Sequence, residues 1–167
     1  MKKVSLGTVE NFLKSGLHKL LREDVQHHRI FKEADLECCV YFHLRNRLQR
    51  DERWRIFGRK HSRKTGHYTD LVVYKRYTPC IAIELKWRKD ELGKKDRSAL
   101  GKALSELKVR KAYFFSVLPN ESAYKTSKKL EDEKWNLFEF PIGLSFKGAD
   151  REKRIQNWEH CRKRFRN

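Results

Sequence analysis

Apolar positions along the chain recur first at helical spacing and then at a period of two. From Thr8 to Leu21, Val9, Phe12, Leu13, Leu17, Leu20 and Leu21 follow a helical stripe, and Thr8 stands where an N-cap hydroxyl belongs. A second stripe, Leu36, Val40, Tyr41, Leu44 and Leu48, predicts a helix over Glu33–Arg50. The period then shortens. Trp54–Arg59 reads as a strand, Arg59–Gly66 as a basic turn, and His67–Tyr77 as a second strand centred on Leu71, Val72 and Val73. Pro79 opens a third strand, Cys80–Trp87, whose β-branched apolar content suits a central position in a sheet. A polar stretch through Gly93 leads to a helix over Asp96–Lys108, with Leu100, Ala103, Leu104 and Leu107 on one face. Lys111–Leu118 reads as a fourth strand, Ser122–Trp135 as a helix, Asn136–Leu144 as a short strand and Asp150–Phe165 as a basic C-terminal helix. This order predicts a mixed α/β fold with helices on both faces of a small sheet.

Composition adds one domain and an anionic partner. The three prolines, Pro79, Pro119 and Pro141, each flank an apolar run, and no repeat or linker divides the 167 residues, so a single domain over 1–167 is expected. Hydrophobic residues at 38% and aromatics at 12% are too many for a disordered basic tail. No apolar run approaches the roughly 20 residues of a spanning helix. The first residues, Met1 to Glu10, lack a signal-peptide apolar region. A soluble, cytoplasmic protein with no membrane partner is the expectation. The 40 Lys and Arg against 22 Asp and Glu give a formal charge of +18, for which nucleic-acid phosphate is the first partner and an anionic membrane surface the second. Cys38, Cys39, Cys80 and Cys161 show no zinc-site spacing, and Cys38 and Cys39 read as small buried hydrophobes in a reducing compartment. No aromatic-rich strand motif of the kind that stacks single-stranded RNA is present.

Chemistry concentrates in the third strand. In Glu84-Leu85-Lys86, alternation puts Glu84 and Lys86 on one face with Ala82, and Ile81, Ile83, Leu85 and Trp87 on the other. A carboxylate and an ammonium in an apolar strand are costly to desolvate without partners. A hairpin connection would bring Asp70, at the start of the second strand, beside Glu84. Two carboxylates converging at strand ends suit a hard cation such as Mg²⁺, and a lysine beside them would orient or deprotonate a water and stabilise charge on a phosphate. The chain holds an internal control: Glu106-Leu107-Lys108 repeats the same three letters in a helical pattern, where residues two apart diverge by about 200°.

These residues, Tyr68-Thr-Asp-Leu-Val-Val-Tyr74 and Cys80-Ile-Ala-Ile-Glu-Leu-Lys-Trp87, with Asp70 preceding Glu84 by 14 positions, resemble the PD-(D/E)XK nuclease superfamily of restriction-endonuclease-like enzymes. The order of elements from about Glu33 to Leu144 is similar to that superfamily's αβββαβ core. Thr69 stands where the motif's proline would be. The resemblance implies that Asp70 and Glu84 ligate Mg²⁺ or Mn²⁺ and that Lys86 assists the attacking water. It also implies a further acidic residue on the preceding helix. Glu33 is the first choice and Glu37 the second, both within about 20° of Leu44 on the helical wheel and so expected on the inward face; for Glu33 the alternative is a helix-start residue complementing the dipole. A metal-dependent endonuclease acting on duplex or branched DNA is implied, of the stand-alone kind that includes junction resolvases, with a homodimer by the same resemblance. A non-catalytic nucleic-acid-binding module and an RNA-processing nuclease stand as alternatives.

Two basic clusters would hold the substrate. Arg59, Lys60, Arg63 and Lys64 lie in the turn that leads to Asp70, and Arg162, Lys163 and Arg164 belong to the C-terminal stretch, docked by Ile155, Trp158, Cys161 and Phe165. Lys94, Lys95 and Lys102 would extend the same field.

Overall fold

A computed structural model of the chain describes residues 3–27, 29–49, 51–61, 68–87, 104–118, 131–132 and 137–143, together with Ser98, Leu100, Gly101 and Gln156. The first helical region is α1 (Leu6–Asn11), a π-helical segment (Phe12–Leu17) and α2 (His18–Gln26). It starts before the expected cap: Ser5, not Thr8, is the N-cap, and its Oγ accepts the Thr8 N–H at 3.1 Å. The π segment answers to the sequence. Val9, Leu13, Leu17, Leu21 and Val25 are all buried at a strict spacing of four. In a regular α-helix that row drifts by about 40° per step, since 3.6 residues make a turn. A wider turn in the middle returns the row toward one line. Gly16 sits inside this turn because the Phe12 ring lies over it: a Cβ there would stand 2.7 Å from Phe12 Cδ2.

The second helix is α3 (Glu33–Leu48), opened by Asp35, whose Oδ2 accepts the Phe31 and Lys32 N–H groups at 3.0 and 3.2 Å. Leu36, Val40, Leu44 and Leu48 form its buried face, while Tyr41, expected in that stripe, is 40% exposed. Cys38 is also exposed, contrary to its expected burial, whereas Cys80 is buried. Cys38 stands about 200° round the helix from Leu36 and Tyr41 about 100° from Val40, so neither lies on the buried row.

The strands are β1 (Trp54–His61), β2 (Tyr68–Lys75), β3 (Thr78–Trp87), β4 (Lys111–Leu118), β5 (Glu131–Asp132) and β6 (Leu137–Gly143). They form one sheet in the order β1-β2-β3-β4-β6-β5. The first three are antiparallel neighbours, β3, β4 and β6 run parallel, and β5 returns antiparallel on β6. Two expectations are corrected. Strand β1 extends through Arg59 and Lys60, so the basic turn begins later than position 59, and Glu131 and Asp132 are strand within a stretch expected to be helical.

A helical face and a sheet face meet in the main core. Ile81, Ile83 and Leu85 of β3 and Tyr113, Phe115 and Val117 of β4 pack with the buried rows of α1, α2 and α3. On the opposite face Val72, Ala82, Ala112 and Phe114 pack with Leu100, Leu104 and Leu107. Ser98, Leu100, Gly101 and Leu104–Glu106 are helical, so a helix lies between β3 and β4, and Lys108, at φ 53°, ends it in the left-handed region. The chain is therefore mixed α/β with apolar packing on both sides of the sheet. Among the described residues no helix is long and apolar enough to cross a membrane.

The corner between α3 and β1 is tied down by Asp51, which is buried and accepts the Val4 N–H at 2.8 Å and Arg53 Nε at 2.7 Å. The hydrogen bonds from Arg53 hold its carboxyl well below the usual carboxylate range. A depressed folded-state pKa contributes stability above the unfolded value of about 3.9, and that contribution is lost as pH falls toward the folded value. Thermal melts from pH 5 to pH 2 are expected to show a smaller loss of Tm for Asp51→Asn than for the wild-type chain.

Strands β2 and β3 join through a two-residue loop, Arg76-Tyr77, in which Arg76 has φ 58°. Primed hairpin turns require that conformation, and asparagine or glycine takes it with less strain than arginine. Arg76→Asn is expected to stabilise the fold by about 0.5 kcal/mol, read by urea denaturation.

Candidate active site

The carboxylates gather where β2 and β3 part. The two strands pair from Lys75↔Thr78 to Leu71↔Ile83, and that pairing ends one residue short of Asp70. From there the Leu85 N–H is satisfied by a side chain: Asp70 Oδ2 accepts it at 2.8 Å. Asp70 therefore caps the fork, on the face of the sheet that alternation assigns also to Val72 and Tyr74 of β2 and to Ala82, Glu84 and Lys86 of β3. Thr69, at the position where the motif would carry proline, is buried in β2.

Lys86 is the centre of the cluster. Its Nζ lies 2.7 Å from Glu84 Oε1, 3.6 Å from Glu33 Oε1 and 4.0 Å from Asp70 Oδ2. Burial works against its charge, but the hydrogen bond to Glu84 and the carboxylates of Glu84, Asp70 and Glu33 more than offset it and raise its pKa. As it stands, the ammonium is a donor rather than a base. Glu84 is buried, with its side chain only 6% exposed. Burial raises the Asp70 pKa; the Leu85 N–H and Lys86 lower it, and the nearby charges of Glu33 and Glu37 raise it again.

Helix α3 supplies the remaining acids from its first turns. Glu33 is not on a buried inward face as expected: its side chain is 48% exposed, yet it reaches over the strand ends, with Oε2 3.4 Å from the Trp87 N–H and Oε1 near Lys86. It also lies in the first turn of α3, where the helix dipole favours a carboxylate. Glu37, one turn on, is half-buried beside β1, and its Oε1 lies 3.4 Å from where a Cβ on Gly58 would stand. That is close to ordinary van der Waals contact, so Glu37 and Gly58 are packed side by side.

The sequence-predicted residues Asp70, Glu84, Lys86, Glu33 and Glu37 thus meet in one place, from two strands and one helix. Among the described residues no three carboxylate, imidazole or thiol groups surround one point closely enough to ligate a metal, and the Lys86 ammonium lies among the carboxylates. The internal control behaves as its pattern requires: Glu106 is helical and Lys108 follows the helix end, so neither is on a strand. Of the basic candidates, Arg59 and Lys60 fall on β1, while Arg63, Lys64, Arg162, Lys163 and Arg164 lie outside the described residues, as do Lys94, Lys95 and Lys102. One neighbour escaped the sequence reading. Ser116 is in register with Lys86 on β4 and buried, and its Oγ has no hydrogen-bond partner among the described residues.

No family model matches the chain, and no curated protein matches it. A solved structure titled as a refined half-complex from the tetradecameric assembly of Thermococcus gammatolerans McrB AAA+ hexamers with bound McrC is similar to it at 14% sequence identity and a TM-score of 0.44. The match covers 77% of this chain and 32% of that one, so the chain spans about a third of that protein's length. A likeness at that TM-score carries neither fold nor function across.

Proposed function

We propose that the protein is a divalent-metal-dependent nuclease with a restriction-endonuclease-like core, hydrolysing phosphodiester bonds in duplex or branched DNA. The observation that carries this reading is the convergence of Asp70, Glu84 and Glu33 on the Lys86 ammonium at the fork between β2 and β3. The αβββαβ order supports it, as does the +18 charge. Buried acids without a catalytic task are uncommon in so apolar a strand.

The donor set fits Mg²⁺ or Mn²⁺, since carboxylate oxygens are the ligands hard cations take. Asp70, Glu84 and Glu33 would hold the ion, and Glu37 would add negative charge behind them. When bound, the ion supplies a Lewis acid for the phosphoryl group and lowers the pKa of a water. The chain's own residues do the rest. Asp70 fixes the end of β3 through the Leu85 N–H and so sets where Glu84 and Lys86 stand. Lys86 carries up to three N–H donors, which can be redirected from the carboxylates to a phosphate oxygen as negative charge develops there. Arg59, Lys60, Arg63, Lys64, Arg162, Lys163 and Arg164 are the candidates for holding the phosphates of the strand.

The test is incubation of supercoiled plasmid and of a four-way branched duplex with the purified protein in Mg²⁺ or Mn²⁺. Metal-dependent cutting that Asp70→Ala abolishes is expected. Salt-sensitive binding without cutting in either metal would instead make the chain a binding module on a nuclease-like fold.

A further inference from the structure

The face of the sheet that bears Asp70 also bears a row of aromatic rings and cations that the proposed chemistry does not use. In the β1–β2 register, Phe57 is opposite Val72 and Arg55 opposite Tyr74, so Arg55, Phe57 and Tyr74 share that face with Asp70. Phe57 is 47% exposed and meets the Tyr74 ring edge-on, with centroids 5.2 Å apart. At the hairpin tip Tyr77 is 86% exposed, and the Arg55 guanidinium lies 5.8 Å from its ring centroid. Large aromatics are seldom left this open on a sheet without a partner. They alternate here with an exposed arginine, and Arg76 adjoins Tyr77 in the loop.

We propose that Tyr77, Arg55 and Phe57, with Phe57 braced by the half-buried Tyr74 ring, form a stacking platform for a single-stranded stretch of nucleic acid that runs along the exposed strand β1 toward the position beside Asp70. The occupant follows from charge and shape together. Rings with an open π-face stack on bases of any sequence, arginine serves both a base plane and a phosphate, and the chain as a whole carries +18. From Arg55, opposite Tyr74, to the β1 position beside Asp70, between Gly58 and Lys60, is four strand residues, about 13 Å, the length of roughly four stacked nucleotides. The platform would thus present a strand to the carboxylates after its bases have been taken up a few nucleotides away. This deepens the nuclease reading, on which it rests for the cutting step, by naming an unpaired segment as part of the substrate. The Phe57 and Tyr74 rings come from different strands, and pairing of β1 with β2 brings them together.

The experiment measures binding of fluorescein-labelled oligo-dT and oligo-rU by anisotropy in EDTA, for the full chain and for Phe57→Leu and Tyr77→Leu, with Tm recorded for each. Tyr77 is on the surface, so Tyr77→Leu keeps the test valid if Phe57→Leu unfolds. Each substitution is expected to weaken binding of at least one of the two oligomers roughly tenfold, with an unchanged slope of log K against log salt, because a ring and not a phosphate contact is lost. Arg55→Ala should weaken binding and reduce that slope by about one. Phe57→Trp should restore affinity. Wild-type affinity in both leucine variants, or an equal loss on a fully paired duplex, would overturn the platform. Because binding is read without metal, absence of cutting with this pattern intact would count against the nuclease reading alone.

Discussion

Replacing Lys86 by alanine is expected to separate two properties that Glu84→Ala removes together. In Lys86→Ala, cleavage of plasmid DNA in Mg²⁺ should fall by at least about 100-fold, because the cation that meets the developing phosphoryl charge is gone. Binding of Mn²⁺ by the same variant should become tighter, by about tenfold or more. The reason is the position of the ammonium among Glu84, Glu33 and Asp70 at 2.7, 3.6 and 4.0 Å, where it competes with a metal for the same oxygens. At an effective dielectric near 20, a unit charge about 4 Å from a carboxylate is worth about 4 kcal/mol, so removing it leaves the acids strongly attractive to another cation. Glu84→Ala should lose cleavage and Mn²⁺ binding alike. Isothermal titration with Mn²⁺ and a plasmid assay on both variants read this. If Lys86→Ala binds Mn²⁺ no better than the wild type, the lysine does not stand in the metal's place.

The largest expected loss of stability lies away from the site, between α2 and α3. Asp24 is buried, accepts Arg29 Nη1 at 2.9 Å, and lies 2.6 Å from His43 Nε2 of α3. Arg29 closes a local loop, its N–H donating to the Asp24 carbonyl at 2.8 Å. Asp24→Ala would leave His43 without its carboxylate partner between the helices and remove the side-chain contact of Arg29, whose backbone bond remains. Leaving a buried hydrogen-bonding group without its partner costs about 1–3 kcal/mol, so Tm should fall by roughly 2–12 °C for a chain of this size. Burial and then the Asp24 carboxylate push the Cys39 thiol up to about 12, so an intact Asp24 keeps that thiol unreactive at neutral pH. Asp24→Asn should speed labelling of Cys39 by a thiol reagent, with Cys38→Ser as background. An unchanged Tm in Asp24→Ala would show that the α2–α3 contact is held by its apolar rows alone.

Different parts of the molecule were legible in the sequence to different degrees, for physical reasons. Short apolar runs located β2, β3 and β4 to within a few residues, since a strand buried on both faces leaves little choice but apolar side chains. Alternation in Glu84-Leu85-Lys86 located the central chemistry, since side chains two apart on a strand share a face. Asp70 was legible by its place at the strand start, but its bond to the Leu85 N–H was not, because the fork depends on where pairing stops. Glu33 was named through the resemblance and the helical wheel placed it facing inward; at the first position of α3 it reaches over the sheet edge from an exposed position. The rule that one residue in 3.6 returns to the same face failed at Phe12–Leu17, where a row spaced strictly by four is kept in line by a π turn. Asp24 and Asp51 gave no signal, since a lone acidic residue in a helix or turn looks solvated until its distant partner is known. The aromatic platform was hidden likewise, because Phe57 and Tyr74 are neighbours only across strands.

The central claim is that Asp70 and Glu84 share a divalent cation at the fork of β2 and β3. It is tested most directly by anomalous diffraction from crystals of the protein soaked in millimolar Mn²⁺. An anomalous peak bonded to oxygens of Asp70 and Glu84, with Lys86 Nζ moved from its contact with Glu84 Oε1, is the predicted result. Density showing Lys86 still on Glu84 and no manganese between the two carboxylates would contradict it.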